Sequence, residues 1–297
     1  MNPLPLKGGG RFSLHDLLAD FALARMNEEE TFAARLRHVQ HYMNVMGQAD
    51  ALYLKGGESI LQGLKSFDDE WAHIQAGQAW AAENTKMGSE TAELAMLYPD
   101  AGVYCLDLRL TPQQRIGWLT AALEAARTLG NKSMEGNHLV KLGLAYADLG
   151  DARKAIGFYE QALVVMREIG DKRAEGSILG NLGSAYAALG DARKAIGFYE
   201  QALKIDREIG DRRGEALESW NLGLAYEKLG DVAKAIKAMQ VCVDFEREIG
   251  HPDAEKHAAK VAELKQKLWD RLLACHFRPA DGLTARPTRQ NRPEMAG

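Results

Sequence analysis

Two histidines, His38 and His41, stand three positions apart in a stretch with helical spacing, so a helix would carry both imidazoles on one side. A pair of such ligands is the start of a metal site, but no further ligand follows at matching spacing, and exposed helix surface is the plainer reading. Lys7-Gly8-Gly9-Gly10 is glycine-rich, yet its lysine precedes the glycines and no strand leads into it. The phosphate-binding pattern G-x-x-x-x-G-K-[ST] occurs nowhere, nor do H-E-x-x-H and G-x-S-x-G. Cys105, Cys242 and Cys275 are odd in number and far apart, which suits neither a disulfide framework nor a zinc motif; they read as reduced thiols. The sequence thus predicts no catalytic residue, no metal and no cofactor, and the chain is read as a non-enzyme.

Composition narrows the partners. A formal net charge of -4 lacks the basic excess of a nucleic-acid surface. The opening MNPLPLKGGGRFSL has no apolar stretch of the signal-peptide kind, and no run approaches the roughly 18 apolar residues of a membrane helix. The expectation is a cytoplasmic protein that binds neither nucleic acid nor membrane. Ala, Leu, Glu, Lys and Arg dominate, a mixture that favours helix.

The elements that hold these side chains come from a repeat. LGDARKAIGFYEQAL starts at Leu149 and recurs letter for letter at Leu189; LGDVAKAIKAMQVCV follows from Leu229, so the period is 40 residues. REIGD at Arg167 and Arg207, then REIGH at Arg247, closes each copy, and a weaker copy starts at Arg115. Each unit reads as two helices. The second carries Ala155, Ile156, Tyr159, Ala162, Leu163 and Met166 as one apolar stripe; the first carries Leu179, Leu182, Gly183, Ala185, Tyr186 and Leu189. Leu-Gly-Asp joins them, with Gly free to take a positive φ and Asp to cap the next helix. Gly143, Gly183 and Gly223 lie inside the first helices, where Gly costs about 1 kcal/mol against Ala. That cost at three equivalent places predicts a neighbour too close for a side chain. Such hairpins stack into an all-α array, a superhelix with a concave side.

Residues 1–85 fall outside the repeat. A helix is predicted from Ser13, a second from about Glu29 to Leu54 that stops at Gly56-Gly57, and a third through SFDDEWAHIQAGQAWAAEN, capped near Asp68 with Trp71, Ile74 and Trp80 inward. Residues 95–110 read as helix broken at Pro99, and Thr111-Pro112 opens the next. A helix from Ala254 to Leu273 is expected to cap the array with Val261, Leu264, Leu268 and Leu272 inward. The domains expected are an N-terminal helical segment over 1–85, a repeat array with its cap over 86–270, and a disordered Arg- and Pro-rich tail over 271–297.

Leu182-Gly183-x-x-Tyr186 followed by Ala195, Tyr199 and Ala202 resembles the tetratricopeptide repeat, and Leu142, Gly143, Tyr146, Ala155, Tyr159 and Ala162 repeat it one unit earlier. The third unit departs at Met239 and Cys242. The long period is similar to the repeats of kinesin light chain and Pins-type adaptors. Phe12-Ser13-Leu14-His15-Asp16-Leu17-Leu18-Ala19-Asp20-Phe21-Ala22 resembles the winged-helix end that follows the NB-ARC module of bacterial signalling ATPases, and the stretch from Tyr98 resembles their linker-to-repeat junction.

The repeat resemblance implies an all-α, right-handed superhelix of tetratricopeptide-type hairpins with a binding groove lined by first helices. Asn181 and Asn221 precede Leu-Gly in their units, and Lys141 holds that place earlier. The resemblance implies that Asn there pairs with a peptide backbone, because an amide both donates and accepts; bonding to a neighbouring helix stays open. Ser177, Ser184, Leu144, Leu224 and Lys228 stand nearby, and Trp220 is either core or a ligand platform. Arg173, Arg212 and Arg213, with Glu175 and Glu215, are placed at the rim. The clamp for a chaperone's C-terminal carboxylate is not met: Asn137 and Ser177 stand where Lys would help, Leu144 and Ser184 where the second Asn would. The resemblances imply a scaffold or adaptor for a protein or peptide, or else the sensor arm of an NB-ARC-type ATPase acting in signal transduction.

Overall fold

The computed structural model describes residues 25–276, of which 274–276 are described by their backbone alone. The helix predicted from Ser13, the Phe12–Ala22 motif and most of the tail lie outside the described residues. The described residues are helical with no strand, and the fold is an all-α solenoid of hairpins. They divide into two compact units meeting at Gly170 and Asp171.

The first unit holds α1 (Glu28–Lys55), α2 (Glu58–Asp69), α3 (Trp71–Glu83), α4 (Ser89–Leu97), α5 (Val103–Arg109), α6 (Pro112–Thr128), α7 (Lys132–Asp148) and α8 (Ala152–Ile169). Asn27 opens α1 with a reciprocal cap to Glu30, and Thr111 does the same for α6 with Gln114, Pro112 filling the first helical position. Val39, Met46, Phe67, Ile74, Tyr98 and Trp118 centre the core, and the Tyr98 hydroxyl donates to the Ile74 carbonyl at 3.1 Å. Pro99 breaks the predicted 95–110 helix as expected, leaving a 3-10 turn over Tyr98–Asp100.

One sequence expectation fails here. Two helices, α2 and α3, replace the single one predicted from Ser66, and Glu70 is their joint. Asp68 therefore lies in the last turn of α2 and caps nothing; its carboxylate accepts from Arg109 at 2.6 and 2.8 Å. The joint lets Trp71 stack between Phe67 and Trp118. His38 is half-buried with its Nε2 3.4 Å from His73 Nδ1 on α3, while His41 is exposed.

The second unit holds α9 (Lys172–Ala188), α10 (Ala192–Ile209), α11 (Arg212–Lys228), α12 (Val232–Glu248) and α13 (Ala254–His276). Each helix packs on the next, and the two first helices α9 and α11 also touch. Val261 and Leu264 of α13 are buried and Leu268 half-buried, but Leu272 is 52% exposed, so the inward stripe ends one turn earlier than expected.

Both units use one hairpin joint. Gly150, Gly190 and Gly230 have φ of 76°, 85° and 80°, and the Asp after each accepts from the backbone N–H three residues on. The backbone N–H of that Asp bonds back to Tyr146, Tyr186 or Tyr226, which closes the preceding helix. Lys154, Lys194 and Lys234 then sit over the same three rings at 5.0, 4.9 and 5.2 Å. Inside the hairpins, a Cβ on Gly143 would lie 2.3 Å from the Tyr159 ring, on Gly183 2.5 Å from Tyr199, and on Gly223 2.4 Å from Met239. The predicted close approach is thus an aromatic or Met side chain of the partner helix.

Candidate functional site

In the second unit, α9 presents Arg173, Ser177, Asn181 and Ser184 along one face, and α11 presents Arg213, Leu217, Asn221, Leu224 and Lys228. The α9 face is polar. The α11 face holds two apolar side chains in water, Leu217 at 58% and Leu224 at 42% exposure.

A cavity of about 260 Å³ opens beside Ser177 and Leu217, with Asp206, Asp211 and Glu218 in its wall and Arg173 and Arg213 at its rim. Asp206 and Glu218 are buried, at 5% and 7% exposure. One period earlier their places hold Met166 and Ile178. Gly214 and Gly180 replace Ala174 and Val140 in the same comparison and give the carboxyls room. A Cβ on Gly180 would lie 2.1 Å from Glu218 Oε1, and one on Gly214 3.0 Å from Asp206 Oδ1.

Both carboxyls are pushed toward the neutral form, and one of them lacks a partner at one oxygen. Burial, Asp211 and Glu215 push Asp206 up to about 6. Burial and then Asp206 push Glu218 up to about 7, against a lowering hydrogen bond from Asn221. Glu218 Oε2 has no hydrogen-bond partner. Asp211 is committed to capping α11 through the Gly214 N–H at 2.9 Å. A cationic group entering this pocket would meet a buried, unsatisfied acceptor, where charge-assisted bonds are strong.

The residues singled out in the sequence fall into different surroundings. Ser177 lines the acidic pocket, and Asn221 bonds Glu218 there. Asn181 is half-buried and lies one turn on from Ser177. Ser184 is exposed and accepts from the Tyr199 hydroxyl at 3.2 Å, and Lys228 is exposed at the end of α11. Trp220 is half-buried with its ring 4.0 Å from that of His257, in a second cavity of about 390 Å³ that shares Arg213 and Leu217 with the acidic pocket. Lys141 belongs to the first unit, where its ammonium is paired with Asp100. Of the rim residues, Arg212 grips Glu248 with two bonds of 2.7 Å, and Arg207 reaches Glu215 at 2.5 Å. Asp206 and Glu218 were missed. Their signal was the repeat itself, read down its columns for places where acid replaces Met or Ile.

No helix among the described residues is long and apolar enough to cross a membrane. The tetratricopeptide repeat profile matches residues 134–208 and 174–248. No curated protein matches the chain. Among solved structures it is similar to BtubC (BKLC) from P. vanneervenii, at 17% identity over 78% of this chain and 98% of that one, with a TM-score of 0.53. A putative kinesin light chain with nearly identical TPR-like repeats from Podospora anserina aligns at 14% identity over 71% and 98%, TM-score 0.53. The apo form of RapI aligns at 11% identity over 88% and 67%, TM-score 0.57. At these identities the likeness is one of fold.

Proposed function

We propose that this tetratricopeptide-repeat protein is an interaction adaptor whose α9–α11 face holds a peptide, with a basic side chain of the peptide seated in the acidic pocket. The observation that carries the reading is the buried Glu218 carboxyl with its free Oε2, beside buried Asp206. An unpaired carboxylate in such a place is costly to the fold, and an incoming guanidinium or ammonium relieves that cost only in the complex. Exposed Leu217 and Leu224 supply apolar contact along the same face, and Asn181 and Asn221 supply amides for the peptide backbone. Arg173 and Arg213 at the rim favour acidic or neutral residues flanking the basic one.

The test is retention of peptide libraries with a fixed central residue on the immobilised full chain. Arg- and Lys-centred libraries are expected to be retained over Gln- and Glu-centred ones. The double variant Asp206→Met/Glu218→Ile, which restores the residues of the preceding repeat, is expected to erase that preference while keeping weak retention. Asn181→Ala/Asn221→Ala lowers retention of every library. Equal retention of all libraries by the wild type would refute the pocket's role, and retention of none would refute the binding face.

A further inference from the structure

The geometry points to a zinc-binding site formed by Cys242, Glu246 and His257, which ties the last two helices together. Cys242 and Glu246 are four apart on α12, hence on one face, and His257 reaches them from the first turns of α13. One donor atom from each, Sγ, a carboxylate oxygen and a ring nitrogen, lies within 4.8 Å of the others. His257 Nδ1 is 2.8 and 3.0 Å from the two Glu246 oxygens. Cys242 and Glu246 are buried and His257 is half-buried, so the donors are gathered without a loop having to order first.

The donor set is specific in kind. A thiolate, an imidazole and a carboxylate suit zinc, whereas magnesium and calcium take oxygen alone. Cys242, Glu246 and His257 all line the cavity of about 390 Å³, so a fourth ligand would come from water or from His251, which lines the same cavity with its Nδ1 3.8 Å from Glu246 Oε1. The Trp220 ring, 4.0 Å from that of His257, holds the imidazole in place. The repeat supplies an internal control. Ala162 and Ala202 stand where Cys242 does, and Met166 and Asp206 stand where Glu246 does, so the thiol and the long carboxylate come together in the last copy alone. Cys242 meets Glu246 through a side-chain hydrogen bond, so the thiol joins the Glu246–His257 pair in one cluster where the earlier copies hold only Ala. On binding, the thiol releases its proton to solvent and the thiolate bonds the metal.

Cobalt is the spectroscopic probe, added to the metal-free, reduced full chain. One equivalent is expected to give a thiolate-to-cobalt charge-transfer band that zinc abolishes by displacement. The band should vanish in Cys242→Ala, a change the two preceding repeats already carry, and persist in Cys105→Ala and Cys275→Ala. His257→Gln keeps a hydrogen-bonding side chain beside Glu246 and should bind cobalt at least ~10-fold more weakly. Zinc should raise the melting temperature of the wild type and leave that of Cys242→Ala unchanged. A wild type without the band, a band retained in Cys242→Ala, or wild-type affinity in His257→Gln would each overturn the site. Circular dichroism of both variants separates loss of metal binding from loss of fold.

Discussion

Replacing Glu218 by Gln should stabilise the protein, and by an amount that depends on pH. A carboxyl that titrates at 4.5 in the unfolded chain and at about 7 in the fold costs about 3 kcal/mol once both forms are ionised. The sign follows from the raised value. Below 4.5 the group is protonated in both states and costs nothing; as pH rises through 7 the unfolded state is favoured by its earlier ionisation. Gln keeps the shape and the partner Asn221 but cannot ionise. Urea unfolding of wild type and Glu218→Gln should therefore coincide near pH 4 and separate by about 3 kcal/mol at pH 8, on the order of 10 °C in melting temperature. Glu218→Ile, matching buried Ile178, should behave likewise at pH 8. A variant no more stable than wild type at pH 8, or a gain that ignores pH, would refute the view that the pocket holds a carboxyl unsatisfied by the fold.

Other expectations follow from the same geometry. Gly183→Ala should destabilise by about 1–3 kcal/mol, because the new methyl meets a Tyr199 ring whose hydroxyl is tied to Ser184 at 3.2 Å. Gly197→Ala, on the neighbouring helix with nothing within 4 Å, should stabilise by about 0.5–1 kcal/mol; urea midpoints of the same sign for both would contradict the packing described. An Arg-centred peptide should bind more tightly at pH 8 than at pH 5, since Asp206 and Glu218 ionise at about 6 and 7, and isothermal titration at the two values checks it. That dependence should flatten in Asp206→Met/Glu218→Ile.

The repeat was legible because it is written in the letters themselves: the Leu-Gly-Asp joints, the Ala and Tyr columns, and glycines at 143, 183 and 223 each have one physical cause. The two-helix arrangement around Glu70 was not, because a run such as SFDDEWAHIQ has helical periodicity on both sides of the break, and what bends it is aromatic stacking onto Trp118 from a distant segment. The site was legible in part. Ser177 and Asn221 stand at the acidic pocket, whereas Lys141 is held by Asp100, 41 positions earlier in the stretch read as a linker-to-repeat junction. Asp206 and Glu218 are not singled out by the sequence, since burial of a charge depends on neighbours that periodicity does not name. The columns 166, 206, 246 and 138, 178, 218, reading Met, Asp, Glu and His, Ile, Glu, carried the hint.

Where the partner lies is tested most directly by site-specific photo-crosslinking with an Arg-centred peptide recovered from the library. A crosslinking residue placed at exposed Ser177 or Leu217, beside the pocket, should capture the peptide, and one placed at Gly197 on α10 should not. Capture at Gly197 with none at Ser177 and Leu217 would contradict the assignment of the α9–α11 face.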